Sequence, residues 1–351
     1  MLLKLNAIII YSLVAFFLSL MLYPLYINLL RKLKAGKQIR EDTVTGEDAS
    51  IFKALHQHKA WTPTMGWWLI LFVVLALVWL SILIQKMWRT NHSLLARQET
   101  YILLFAFFSM WILWLIDDYL NIKWSWRVKG LTAKIKFVWM FGFSAFITYW
   151  FYVKLGIDFF NLRPLAGEVD FGIFYVIITF FLTVWIVNAI NITDWLDWLV
   201  WWLMLIILMV LWIITFISQW YLATTIIGIV LWSTLAFLWF NINPAHIFMW
   251  DSWALWYWWL IAALVYLLNI RFGIMIPFIL MFGLFWLEIG SSFFQIMRKK
   301  IFKRKLFTVA PFHHALEHAG KAEHTIVMKM RVIQWILAIV ALMWILYQIQ
   351  I

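Results

Sequence analysis

The 351-residue chain contains no cysteine, and few of its residues are charged. Without cysteine the chain cannot form disulfides, thiolate metal sites or a thiolate nucleophile. Charged residues make up 13% of the chain and apolar residues 66%, whereas a soluble domain carries about 25% charged residues. A chain of this composition is solvated mostly by lipid, which indicates a membrane protein.

The apolar residues are grouped in long uninterrupted runs. A helix needs roughly 20 apolar residues to cross the hydrocarbon core. The stretch from Met1 to Leu30 is too long for a cleaved signal peptide, so we interpret it as the first span. Ten spans are predicted, near Leu5–Leu30, Gly66–Ile84, Tyr101–Ile116, Phe137–Tyr152, Phe171–Val187, Leu199–Ile217, Tyr221–Phe240, Ser252–Leu268, Ile274–Phe294 and Val332–Ile349. We therefore predict an all-α polytopic membrane protein in which residues 1–351 form one integral-membrane domain.

The net charge of +12 is interpreted as a topology signal rather than as a sign of nucleic-acid binding. Lys and Arg are concentrated in the loops after the first, third and ninth predicted spans. Cytoplasmic loops of membrane proteins are enriched in these residues. This places the three loops in the cytoplasm and predicts that both chain termini lie outside.

The same topology brings polar residues that are distant in sequence to one face of the membrane. They are Asp117, Asp118, Asp194, Asp197, Asp251, His313 and His314. Five acids and two histidines beside many cations predict a site that handles anionic substrates at the cytoplasmic surface. Glu288 instead lies deep inside a predicted span, where an acid is usually paired or functional.

Two aspartate motifs follow predicted spans. The adjacent carboxylates of Asp117 and Asp118 repel each other at a helix C-terminus, where the helix dipole adds to the strain. A divalent cation or a nearby lysine would relieve this strain, although a solvated helix end is the alternative. The motif Asn188-x-x-Asn191-x-Thr193-Asp194-x-x-Asp197 would present its two acids on one face if the stretch is helical. That cluster suits a nucleobase, ribose hydroxyls or hydrated Mg²⁺, and a polar loop is the alternative.

Two further motifs lie at later cytoplasmic ends. Asp251 ends the segment that begins at Asn241. It either belongs to the predicted site for anionic substrates or only caps the helix that follows. His313 and His314 precede Glu317 in the last basic loop. Histidines there either ligate a metal when neutral or hold a pyrophosphate when charged, with simple solvation as the alternative.

Together these residues resemble the phospho-N-acetylmuramoyl-pentapeptide transferases. The resemblance rests on five ordered motifs: Thr62-Pro63-Thr64-Met65-Gly66, Asp117-Asp118-Tyr119, Asn188 to Asp197, Phe248-Met249-x-Asp251 and Pro311-x-His313-His314-x-x-Glu317. Two positions depart from the family pattern. Ala315 stands where a third histidine is expected, and Asn121 stands where a lysine is expected.

The resemblance implies a reaction and its cofactor. UDP-MurNAc-pentapeptide would donate its phospho-sugar to undecaprenyl phosphate, forming lipid I and UMP for peptidoglycan synthesis in the bacterial cytoplasmic (inner) membrane. Asp117, Asp118 and Asp251 are the implied catalytic residues. Mg²⁺ would be held by Asp251, with Asp117 or Asp118 contributing, and Asp117 would accept a proton from the lipid phosphate. Direct attack by that phosphate and a covalent phospho-sugar on an aspartate both remain open.

Further residues are implied to bind the substrate. Asn191, Asp194, Asp197 and Phe248 would hold the uridine, with the phenyl ring stacked on uracil, and Asn188 belongs to the same motif. The phosphate and sugar region would be lined by Lys59, Thr64, Lys134, Asn241, His313 and His314. A homodimer is a candidate assembly.

Two other functions compete with this one. A related transferase acting on another UDP-N-acetylhexosamine would account for Ala315. A secondary transporter would place its site near the midplane on broken helices, whereas the acids here lie at one membrane face. Release of UMP from UDP-MurNAc-pentapeptide compared with UDP-GlcNAc separates the two transferases.

Tryptophan and glycine are used in unusual proportions. The chain has 28 Trp and 13 Gly, although glycine averages about 7% of residues and is more frequent still in membrane helices. Tryptophan stands at motif positions where the family has glycine, among them Trp61, Trp67, Trp195, Trp198, Trp250 and Trp253. We hypothesise that UGA codons read as glycine by the source organism are rendered here as tryptophan. Genuine interfacial aromatic belts are the alternative.

Overall fold

The fold is given by a computed structural model that describes residues 2–36, 62–88, 94–95, 104, 133–163, 165–194, 196–249 and 253–350. The chain forms two compact units. The first contains Met1–Ala96 and Thr224–Trp253, and the second contains Arg97–Ala223 and Ala254–Ile351. The single transferase domain predicted over residues 1–351 is a functional assignment and stays a prediction.

The described residues are mainly helical. In chain order the elements are α1 (Leu2–Lys32), α2 (Trp67–Trp88), α3 (Ala133–Tyr149), a π-helical turn (Trp150–Lys154), β1 (Phe159–Asn161), β2 (Glu168–Asp170), α4 (Phe174–Thr193), α5 (Leu199–Ile217), α6 (Tyr221–Asn241), α7 (Trp253–Phe272), α8 (Met275–Met281), α9 (Gly283–Phe302), α10 (Phe312–His318) and α11 (Glu323–Gln350). The strands form one antiparallel hairpin in which Phe160 pairs with Val169.

Six of these helices are long and apolar enough to cross a membrane: α1, α2, α4, α5, α6 and α11. The pair α8 and α9 would add a seventh if it forms one span. The chain is therefore a multi-pass membrane protein. Apart from Leu104, the predicted span at Tyr101–Ile116 lies outside the described residues. The total of ten spans and the outward termini stay predictions.

The ninth predicted span is broken rather than continuous. Helices α8 and α9 meet at an angle of 66°, with Phe282 between them. A break leaves helix carbonyls without their intrahelical partners. The buried side chain of Gln334 on α11 compensates by donating to the Met281 carbonyl oxygen at 2.9 Å. The kink is thus stabilised by a residue that is remote in sequence.

The centre of the second unit is α5. Residues from Leu199 to Leu208 on this helix are almost all buried, as expected of a helix that is apolar on every side. Trp201 packs edge-on against Tyr257 of α7, with ring centroids 5.7 Å apart. Because α5 is fixed in the core, its N-terminus and the turn before it are held in place.

Candidate functional site

In the first unit, the segment Thr62–Gly66 is hydrogen-bonded to the chain that follows α6. The backbone N–H of Phe248 donates to the Pro63 carbonyl at 2.7 Å, and the N–H of Gly66 donates to the Phe248 carbonyl at 2.9 Å. A side chain at Gly66 would lie 2.8 Å from the Phe237 ring, so this close approach requires glycine. The two motifs that the sequence assigned to one family are therefore in direct contact.

Two residues of the first unit predicted to line the phosphate and sugar region make contacts inside the protein. The Thr64 hydroxyl is buried and donates to the Ala35 carbonyl at 3.3 Å. The buried Asn241 amide donates to the Ile247 carbonyl at 2.8 Å, which shapes the turn leading to Phe248. Both side chains hold the local backbone, and their predicted contacts with substrate stay predictions.

In the second unit, the motif from Asn188 to Asp197 spans the end of α4 and the following turn. The Asn188 amide donates to the Val184 carbonyl at 2.8 Å, and Asn191 is exposed. Helix α4 ends at Thr193 with Asp194 as its C-cap. The helical arrangement considered for Asp194 and Asp197 is wrong, because Asp197 lies in the turn before α5 and not on the continuing helix.

The turn that carries Asp197 is anchored by an acid that the sequence analysis missed. Glu323, in the first turn of α11, accepts the backbone N–H of Asp197 at an N–O distance of 2.5 Å. A hydrogen bond to a charged carboxylate contributes about 1.5–3 kcal/mol. Asp197 is 4% exposed, so this bond fixes a nearly buried turn. Arg331, two turns along α11, lies over the Trp202 ring at 4.6 Å.

The histidine motif forms the short helix α10. His313 is 0% exposed, and its Nδ1 lies 2.9 Å from Oε2 of Glu288, which is also 0% exposed. The deep acid is therefore paired, which is one of the two roles expected of it. The Nδ1 atom of His314 lies 2.6 Å from Oε2 of Glu317, and the two imidazole centroids are 4.2 Å apart.

The two histidines have different partners and a shared environment. Burial lowers the pKa of His314 below its ordinary value, and the hydrogen bond with Glu317 opposes this shift. The neighbouring ring of His313 adds to the lowering. The lowered pKa favours the neutral imidazole of His314 over its charged form.

Several predicted site residues lie outside the described residues, namely Lys59, Asp117, Asp118 and Asp251. Lys134 lies in α3, with nothing described of its side chain. Within the described parts of the chain, no group of three or more His, Asp or Glu side chains is arranged to hold a metal ion. The predicted Mg²⁺ ligands are carboxylates, a donor type that suits this ion, and their assignment stays a prediction.

Comparison with known proteins decides the family. The chain is 30% identical over 336 residues to a protein of Clostridium acetobutylicum named phospho-N-acetylmuramoyl-pentapeptide-transferase, covering 95% of this chain and 98% of that protein. The chain belongs to the phospho-N-acetylmuramoyl-pentapeptide transferase family. Proteins with the same name are 32% identical in Aquifex aeolicus, covering 94% of this chain and 90% of the relative, and 28% identical in Oceanobacillus iheyensis, covering 92% and 93%. The Glycosyl transferase family 4 profile matches residues 100–269.

Membership of the phospho-N-acetylmuramoyl-pentapeptide transferase family confirms the resemblance drawn from the five motifs. Glu288 carried a sequence signal because it lies deep in an apolar run. Glu323 carried none, since an acid in the first turn of a helix is expected simply to complement the helix dipole.

Proposed function

We propose that this chain transfers phospho-MurNAc-pentapeptide from UDP-MurNAc-pentapeptide to undecaprenyl phosphate, forming lipid I and releasing UMP. The observation that carries the proposal is the match to the Clostridium acetobutylicum transferase over 95% of the chain. The multi-pass helices support it as well, because the acceptor lipid reaches the enzyme only within the bilayer.

Charge complementarity supports this assignment. The donor carries a pyrophosphate and is strongly anionic, and the segment from Arg298 to Lys305 is exposed and rich in cations. Such a segment raises the local concentration of an anionic substrate at the membrane surface. In phosphoryl transfer, positioning and charge neutralisation supply most of the catalysis.

The chain's own residues are assigned to positioning and proton transfer. Asp251 is proposed as the Mg²⁺ ligand, and the bound ion would neutralise charge on the donor pyrophosphate. Asp117 is proposed to accept the proton of the lipid phosphate. Asp194 and Asp197 are proposed to bind the uridine, because both lie in the short turn between the end of α4 and the N-terminus of α5.

The reaction is tested by measuring UMP release from the purified protein with undecaprenyl phosphate and Mg²⁺. We expect release with UDP-MurNAc-pentapeptide and little with UDP-GlcNAc. The reverse preference would favour a related UDP-N-acetylhexosamine transferase, the function that Ala315 leaves in competition. An absence of UMP with both donors would refute the transferase assignment.

The anchor at Asp197 gives a prediction about substrate affinity. Glu323→Ala removes the acceptor for the Asp197 N–H and frees the turn that is proposed to bind uridine. We expect the KM for UDP-MurNAc-pentapeptide to rise about 10-fold, corresponding to about 1.4 kcal/mol, with kcat changing less. Glu323→Gln keeps an oxygen acceptor and should have a smaller effect. Glu168→Ala, at an exposed acid in β2, is the control, and an unchanged KM in Glu323→Ala would contradict the anchoring role.

A further inference from the structure

One carboxylate oxygen fixes both the backbone and the ring of His313. Oε2 of Glu288 lies 2.9 Å from Nδ1 of His313 and also accepts the backbone N–H of the same residue at 3.4 Å. Glu288 lies on α9 and His313 on α10, so the pair joins the broken membrane helix to the histidine motif. A carboxylate on Nδ1 sets the imidazole tautomer by holding the proton there, which leaves Nε2 for another partner.

The other two polar atoms of this pair have no hydrogen-bond partner among the residues that the structure describes. They are Nε2 of His313 and Oε1 of Glu288, and both are fully buried. Leaving a buried polar group unsatisfied costs about 1–3 kcal/mol. Such exceptions in a folded protein are explained by strain, by a catalytic role, or by a bound water or ion.

We propose that Glu288 is a positioning residue that orients His313 so that its Nε2 binds an oxygen of the substrate's pyrophosphate. When the ring is protonated, Nε2–H donates to the phosphate oxygen and the Glu288 carboxylate supplies the opposite charge within the protein. The anion bound is of the diphosphate class, as in a nucleotide-linked sugar. This inference rests on the proposed transferase function for the identity of the anion.

A double-mutant cycle on UMP release tests the positioning role. Residues that act as one unit lose activity together rather than additively. We expect Glu288→Ala to lower kcat about 10- to 100-fold, the loss found when the partner that orients a metal-bound histidine is removed. Glu288→Gln keeps the size and a neutral acceptor, so it should fall between wild type and Glu288→Ala. The double variant Glu288→Ala, His313→Ala should be no slower than His313→Ala alone.

Two kinetic outcomes would overturn the proposal. One is a double variant that loses the product of the two single losses, which is the behaviour of a merely structural acid. The other is wild-type kcat in Glu288→Ala. Size-exclusion elution of each variant in detergent checks that it is folded. If Glu288→Ala does not fold, the same measurements are made on the milder Glu288→Gln variant.

A second readout does not depend on activity. In ¹⁵N-histidine-labelled protein, the His313 signal is assigned by its loss in His313→Ala. We expect its neutral form to carry the proton on Nδ1, and we expect Glu288→Ala to shift the population toward the Nε2–H tautomer. An Nε2–H tautomer in the wild type would overturn the proposal even if the transferase assay fails, so the two failures are distinguishable.

A different observation carries a second inference, which concerns Trp198. This residue precedes α5 with φ 58° and ψ −7°, in the left-handed region. Glycine adopts this region without cost, whereas a bulky side chain there is a genuine outlier. The other described non-glycine residues with positive φ are Lys34, Met65, Gln219 and Lys303, so Trp198 is the only aromatic residue in this group.

Buried indoles elsewhere are also poorly accommodated. Trp67 follows the Thr62–Gly66 segment, is 1% exposed, and has no hydrogen-bond partner for its indole N–H within the described residues. Trp150, Trp202, Trp212 and Trp344 are partly exposed as residues, but their indole N–H groups are buried and have no partner among the described residues. A buried tryptophan N–H usually finds an acceptor. Unsatisfied indoles at several sites indicate that the surrounding sequence was not selected to enclose tryptophan.

We infer that Trp67, Trp198 and Trp202 occupy positions that are glycine in the protein made by its source organism, encoded by UGA. At 198 glycine would remove the strain of the left-handed turn directly after Asp197. At 67 glycine would follow Gly66 where the backbone already makes a close approach. The inference concerns residue identity and is independent of the role of Glu288.

Peptide mass spectrometry of the protein from its source cells, combined with the gene sequence, tests this inference. We expect UGA at codons 67, 198 and 202 and peptide masses that fit glycine at each position. UGG at codon 198, or a tryptophan mass in the peptide that contains it, would overturn the inference. The codons of the exposed residues Trp79 and Trp239, read in the same gene, show whether tryptophans on the surface are also encoded by UGA.

Discussion

Asp251→Ala is expected to abolish Mg²⁺-dependent formation of lipid I. The proposed role of this carboxylate is to hold the ion that neutralises the donor pyrophosphate. Such charge stabilisation is worth several kcal/mol, which corresponds to a loss in rate of about 10³-fold. Initial rates of lipid I formation, measured across a series of Mg²⁺ concentrations, report the effect directly.

Two variants make the Asp251 result interpretable. Asp251→Asn keeps the size of the side chain and an oxygen ligand but removes the charge, so it should regain some activity at high Mg²⁺ concentration. Asp170→Asn is the matched control, because Asp170 is exposed in β2 and its carboxylate accepts the Gly172 N–H at 2.7 Å, a bond that asparagine can keep. Full activity in Asp251→Ala would remove the metal assignment.

The sequence predicted the helices where apolar length alone decides the structure. The predicted span Leu199–Ile217 has the bounds observed for α5, because an uninterrupted apolar run in lipid must satisfy its backbone as one helix. The same rule fails at Phe282, where α8 and α9 separate. There the Gln334 amide donates the hydrogen bond that the Met281 carbonyl would otherwise accept within the helix. The residues next to Phe282 in the sequence do not predict this distant partner.

The assignment of the site residues stays a prediction, whereas the contact that holds the turn at Asp197 was not predicted at all. The spacing of Asp194 and Asp197 would put both on one face of a helix, yet the helix ends at Thr193 and the backbone turns before Asp197. The turn is held by Glu323, which is 126 positions away in sequence. Pairings of this kind depend on tertiary packing, and no local pattern encodes them. Glu288 was detectable only because burying an acid in an apolar span is costly without a partner.

The last prediction concerns the protein made from two synthetic genes, one encoding tryptophan and the other glycine at positions 67, 198 and 202. We expect the glycine protein to be the more active transferase by about 10-fold. Relief of backbone strain at 198 alone is worth about 1–3 kcal/mol, which corresponds to about 5- to 150-fold at 1.4 kcal/mol per factor of ten. UMP release per amount of total protein is the measurement, and size exclusion reports the folded fraction separately.

Single replacements separate backbone strain from loss of space. Trp198→Ala removes the indole but keeps a Cβ in the left-handed region, whereas Trp198→Gly removes both. If strain dominates, only Trp198→Gly should restore activity. If crowding beside Asp197 dominates, both should restore it equally. Higher activity in the tryptophan protein would mean that the indoles are native and would overturn the inference. The Arg331 guanidinium lies 4.6 Å from the centre of the Trp202 ring. The single variant Trp202→Gly therefore also removes this cation–π contact, which is worth about 0.5–1 kcal/mol.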